Sequence, residues 1–188
     1  KTFKEEMKVK EPKQLLSKRI NELKIWDEEL RILLQDPIQD FKASNNIIDI
    51  DWRYFRFLKA YYKIPPLLLT LTQAVMMILG RVQTWKSFLG SIKDFDYFRE
   101  NLILYDPSTM ELDIYQNLSN FIYVHKIDNF KLWETRDPET LMMARWAVAI
   151  RNQAKAFINK RNIEEKLSLI QLKLEEANID NKKLKNSY

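Results

Sequence analysis

His125 is the only histidine in this 188-residue chain, and there is no cysteine. The chemistry open to those two residue types is therefore narrow. Thiolate metal sites, disulfide scaffolds and cysteine nucleophiles are excluded, and one imidazole among scattered acids makes a weak metal-ligand set. His125 closes an apolar-periodic segment, where its position predicts a capping or surface role. Acidic pairs such as Asp94/Asp96 and Glu164/Glu165 have no nucleophile or base placed beside them by sequence, and solvated helix faces explain them better than acid–base catalysis does. The only glycines are Gly80 and Gly90, too few for a phosphate-cradling loop. Asn117-Leu118-Ser119 matches a glycosylation acceptor by chance. These residues predict binding rather than catalysis, with no cofactor and no metal.

The elements that must carry any binding surface are predicted to be helical. Leu, Lys, Glu, Gln and Met are abundant helix formers, and six prolines with two glycines leave little material for hairpin turns. The first twenty residues mix charge signs without an apolar core, so no signal peptide is expected there. One run stands apart. From Pro66 to Gly80 no residue is charged, although 30% of the chain is. Its apolar stretch, Leu67 to Leu79, would be about 20 Å long as a helix, against about 30 Å of bilayer hydrocarbon. A buried helix is expected instead, started by Pro65-Pro66 and stopped by Gly80.

Around that run the chain divides into three: residues 1–51, 52–157 and 158–188. Leu16, Ile20, Leu23, Leu30 and Leu34 keep a heptad rhythm interrupted at Trp26 or Asp27. Ile163, Leu167, Ile170, Leu174, Ala177 and Leu184 keep the same rhythm, interrupted at Asn181. Each flank is short alone, and together they predict an antiparallel two-stranded coiled coil, with Pro37 breaking or kinking the first strand. Between them lies an aromatic-rich segment with helical spacing at 84–89, 96–106 and 110–124, then a short helix and a long one from 130 onward. Asp137-Pro138-Glu139 is the start signal of that long helix. The expected fold class is all-α, a small bundle of about six helices at the tip of an antiparallel coiled coil.

Charge follows the same division. Residues 52–161 hold 16 Lys and Arg against 10 Asp and Glu, whereas both flanks are close to balance. A moderately basic head implies an acidic partner reached by electrostatic steering. No Lys/Arg run and no nucleic-acid motif is present, so nucleic acid is not expected as that partner, nor is a membrane. A coiled-coil module that binds some other protein through its head remains the alternative.

The order of these features resembles the stalk tip of dynein heavy chains, the microtubule-binding domain set between two coiled-coil strands. That family carries a Pro-Pro pair after the first strand, then a helix of the Ala-Val-Met-x-Leu type with a closing glycine, and a tryptophan. Here these are Pro65-Pro66, Ala74-Val75-Met76-Met77-Ile78-Leu79-Gly80 and Trp85. Leu102-Ile103-Leu104-Tyr105-Asp106 and the pair Arg145-Trp146 match two further family elements, with Asp137 in place of a capping serine. The match covers about 100 residues, Asp51 to about Phe157.

The resemblance implies a head that binds the groove between α- and β-tubulin on a cytoplasmic or axonemal microtubule. The parent heavy chain's ATPase ring would lie outside this chain. Positions carried over for tubulin contact are Lys59 and Lys63 before the first head helix, Lys93 and Arg99 around a middle helix, and Lys131, Arg136 and Arg145 near the last. Trp146 is expected in the core. Family members often place charge on the first head helix; here Thr70, Thr72 and Gln73 are its only polar groups before Gly80. Gln153 stands where many members have tyrosine. The family mechanism implies that a slip of one strand past the other sets affinity, with Asp27 and Asn181 keeping two registers near in energy.

Overall fold

The computed structural model describes residues 18, 20–25, 28, 47 and 49–186. Leu16, Trp26, Asp27, Leu30, Leu34 and Pro37 lie outside the described residues, as do the side chains of Asn181 and Leu184. Among the described residues every regular element is helical, so the all-α expectation holds. The main helices are α1 (Trp52–Lys59), α2 (Pro66–Ile78), α3 (Trp85–Ser91), α4 (Phe95–Ile103), α5 (Leu112–Val124), α6 (Lys131–Glu134) and α7 (Pro138–Asn186), with a 3₁₀ turn at Pro107–Thr109. No described helix is long and apolar enough to cross a membrane.

Local chemistry sets the boundaries. Asp51, Thr84 and Asp94 each cap a helix by accepting a backbone N–H with the side chain, from Arg53, Ser87 and Tyr97 respectively. α2 has no side-chain cap and starts instead on Pro66, whose fixed φ is already helical and whose missing N–H would have had no partner in the first turn. It ends in a Schellman motif. Gly80 sits at φ 64°, its N–H donating to Met77 O at 3.1 Å while Arg81 N–H reaches Met76 O at 2.9 Å. α5 ends the same way without glycine. His125 is its C-cap, Lys126 takes the left-handed position at φ 53°, and buried Ile127 donates back to Ile122 O at 3.0 Å.

Two compact units result: Lys1–Pro37 with Asn159–Tyr188, and Ile38–Ile158. In the first, Ile20, Leu23, Leu167, Ile170 and Ala177 are buried, all of them expected seam positions. The second is the head. Its core holds Phe55, Phe88, Phe98, Leu71, Met76, Trp133 and Trp146, all less than 3% exposed. The start of α7 threads this core, for Met143, Ala144, Trp146, Ala147, Val148, Ala149 and Ile150 are buried in near-succession. A helix buried around most of its circumference needs small residues where neighbours come close, and the three alanines supply them.

Aromatic rings join the shorter helices. Trp85 stacks on Phe88 at 5.4 Å, Phe88 meets Phe98 edge-on at 5.8 Å, and Phe98 meets Phe55 at 5.7 Å. Each such pair adds about 0.5–1.5 kcal/mol beyond its buried area. α3, α4 and α1 are thereby linked, while α2 packs on α3 and α5.

The head's core takes in residues ahead of the expected segment. Ile47 and Ile50, placed by sequence in the first flank, belong to the head's core, as do Tyr54, Phe55 and Leu58 of α1. Tyr54, Phe55 and Leu58 fall within the 52–157 segment expected to form the head, and the core extends ahead of it to Ile47. The heptad rhythm around Leu16–Leu34 says nothing about 47–58, where apolar residues serve a different core. The long helix, by contrast, runs unbroken from Pro138 to Asn186 as its lack of internal proline or glycine predicts.

Candidate functional site

Seven basic side chains, with Thr70 and Gln73, make up the expected contact surface, and the head positions them through two sets of helices. The first set is α1, α4 and α7. Tyr54 on α1 hydrogen-bonds Thr140 on α7, Oη to Oγ1 at 2.5 Å, and Phe55 rests on Phe95 and Phe98 of α4. Trp146 of α7 closes the triangle by donating from Nε1 to Leu102 O at 3.2 Å.

The Tyr54–Thr140 bond belongs to a short relay. Thr140 donates its hydroxyl to Asp137 Oδ1 at 2.6 Å and its amide to the same oxygen at 2.9 Å, so Asp137 caps α7 as expected. With that hydroxyl proton committed, Tyr54 must be the donor to Thr140. Burial, foremost, pushes the Tyr54 phenol well above its ordinary value, which keeps it a proton donor. At the same end of α1, Arg53 binds Asp51 through Nη2 at 2.8 Å. The side-chain bond from Arg53, with its backbone N–H, holds the Asp51 carboxyl below the usual carboxylate range.

The basic candidates sit around this frame. Lys59 is exposed in the last turn of α1, and Lys63 is exposed in the turn that leads to α2. Lys93 is exposed between α3 and α4. Lys131 opens α6, Arg136 lies in the turn between α6 and α7, and both are exposed. Arg145 is exposed on α7 with its guanidinium 5.7 Å from the Phe130 ring centre, which brings it beside the start of α6 and Lys131. Trp146, next to it, is fully buried, as expected. Arg99 differs from the others. It is half-buried on α4, beside a groove of about 560 Å³ lined also by Asp94, Asp96 and Glu100, so carboxylates offset its charge locally.

The polar candidates lie on α2, in the second set of helices. Thr70 is half-buried and donates its hydroxyl to Pro66 O at 2.9 Å, while Gln73 donates to Gln83 O at 3.3 Å. Both therefore spend part of their hydrogen-bonding capacity inside the protein. Thr72 faces the core, 1% exposed, and donates to Leu69 O at 2.8 Å. The expectation that it offers a polar group at the surface is corrected by that burial. Leu68, Leu71, Ala74, Val75, Met76 and Ile78 are buried, so the uncharged run is chiefly core.

His125 is exposed and lies against Phe121, ring centroids 4.3 Å apart. It borders a shallow groove of about 440 Å³ with Asn117, Asn120 and Gln83. No group of acids and histidines that could hold a metal occurs among the described residues.

Sequence reasoning missed the exposed aromatics of α1 and its following turn. Phe57 is 71% exposed, Tyr61 43% and Tyr62 fully so. Their signal was available: residues 54, 57, 58 and 61 follow the i, i+3, i+4, i+7 pattern of one helix face, yet only two of the four are buried. In comparison with known proteins, the chain matches no family model and has no significant match among curated proteins.

Proposed function

We propose that this chain is the microtubule-binding tip of a dynein heavy chain, a basic helical head carried on an antiparallel coiled coil. The observation that carries the reading is the succession of built features along one chain. A proline-started apolar helix ends at a left-handed Gly80, Trp85 opens the next helix, Asp137 caps the last, and Arg145 stays outside while Trp146 is buried. The chain also leaves one compact unit after Pro37 and returns to it at Asn159, the connectivity expected of a head inserted between two stalk strands.

The surface chemistry then assigns roles. Tubulin presents acidic surface, and exposed lysines and arginines attract it over a Debye length of about 8 Å at physiological salt. Lys63, Lys131, Arg136 and Arg145 would supply most of that attraction, with Lys59 and Lys93 at its margins. Arg99, surrounded by carboxylates, contributes less. Thr70 and Gln73 would add short-range hydrogen bonds rather than steering.

Co-sedimentation with microtubules over a salt series tests this directly. Binding at low salt that weakens as salt rises is expected, with Lys63→Glu and Arg136→Glu each weakening it several-fold and Arg99→Glu weakening it least. Absence of binding at low salt, or indifference to all three reversals, rules the assignment out.

A further inference from the structure

A groove of about 580 Å³ opens between α1 and the first turn of α7, a size typical of ligand-binding clefts. We propose that it docks a lysine- or arginine-bearing segment of a partner protein other than tubulin.

The walls point to a cation with an aliphatic stem. Phe57 on α1 and Tyr61, four residues on and just past the end of that helix, line the groove with exposed rings, and Tyr54 and Leu58 form its buried floor. Exposed aromatic faces attract ammonium and guanidinium groups through the ring quadrupole, and the methylene stem of a lysine or arginine packs on the same surface. The floor offers no competing donor, because the Tyr54 hydroxyl is committed to Thr140.

The rim sets the sign of the charge. Asp51, Asp137 and Glu139 border the groove against one guanidinium, Arg53, and that guanidinium is bonded to Asp51. Among the described residues no cation makes a salt bridge to Asp137 or Glu139, in a head segment that is otherwise net basic. A segment that is cationic is drawn to this spot and repelled from the rest of the head, so charge complementarity selects the occupant. An acidic surface such as tubulin's is disfavoured here, which makes the proposal independent of the microtubule reading.

The test uses the full chain and a labelled peptide of alternating lysine and arginine, followed by fluorescence anisotropy at low and moderate salt. Salt-sensitive binding is expected, weakened about tenfold or more by Phe57→Ala and by Glu139→Lys. Glu164→Lys, on the acidic pair further along the α7 sequence, should leave it unchanged. Phe57 is mostly exposed and Glu139 half-buried at the surface, and circular dichroism of each variant confirms that α-helix content is kept. No binding, or equal binding by the wild type and both groove variants, overturns the proposal. So does self-association seen by sedimentation velocity that Phe57→Ala abolishes, since the occupant is then a second copy of this chain.

Discussion

Helices α2 and α7 both open on a proline and both bury most of their first four turns in the head, yet they are secured by different physics. α2 has no side-chain cap and no charge; its one buried polar group, Thr72, is satisfied by its own backbone. Its stability is a matter of apolar area, at about 25 cal/mol per Å² removed from water. α7 is tied at its start by Asp137, Thr140 and Tyr54, and at its third turn by the Trp146 indole on Leu102 O. Apolar area is forgiving of shape-preserving change, whereas a buried polar relay fails when one atom is removed, because its partners are left unpaired.

The contrast can be broken most sharply at Trp146. Replacing it by alanine removes a fully buried indole and orphans a carbonyl, and should cost about 3–5 kcal/mol in chemical denaturation, enough to leave the head marginal. Leu71→Met on α2, a volume-conserving change at an equally buried site, should cost less than about 1.5 kcal/mol.

Thr140→Val probes the relay itself. It keeps the shape, strips Tyr54 of its acceptor and removes one of the two bonds to Asp137, for an expected loss of about 1–3 kcal/mol. Tyr54→Phe combined with Thr140→Val should recover part of that loss, because no buried hydroxyl is then left unpaired; a double-mutant cycle measures the coupling.

A smaller effect separates the two Schellman ends. Gly80 and Lys126 occupy the same left-handed position, one with a glycine and one without. Lys126→Gly should stabilise the head by about 0.5–1 kcal/mol, and Gly80→Ala should destabilise it by a similar amount, although space for a Cβ is open there. Thermal melts compared side by side check both signs.

The smallest expected effect is at α1. Because its Asp51 cap titrates below the ordinary carboxylate value of 3.8, its stabilising contribution is complete above that pH and fades as pH falls through the lowered folded value. Amide exchange at Arg53 and Tyr54 should rise over that acid window in the wild type. Asp51→Asn should flatten the dependence.

Much of the head was legible in the sequence because its signals are local. Pro66 and Pro138 at first helical positions, Gly80 past a helix end, the Asp137 cap and the apolar period of 110–124, where the helix spans Leu112–Val124, each depend on a few neighbouring residues. Ile47 and Ile50 were not legible as head residues, because nothing local separates them from the flank until they are seen packed in the head's core with α1. Thr72 was misjudged for a related reason. On a helix with apolar residues on nearly every side, composition does not reveal which face is inward.

What the residues determined by themselves is the class of molecule: all-helical, without cysteine or glycine loops, with a basic middle region and an uncharged run too short for a bilayer. Capping, proline placement and net charge are read within one turn of helix, so no tertiary knowledge was needed. Tertiary structure alone decided which polar groups face out and which carry the core. It brought Tyr54 to Thr140 across 86 residues, set Trp146 against Leu102, and placed two exposed aromatics opposite the first turn of α7. Those pairings depend on how helices distant in sequence share one buried volume, and helical periodicity within each segment is the same whichever partner it meets.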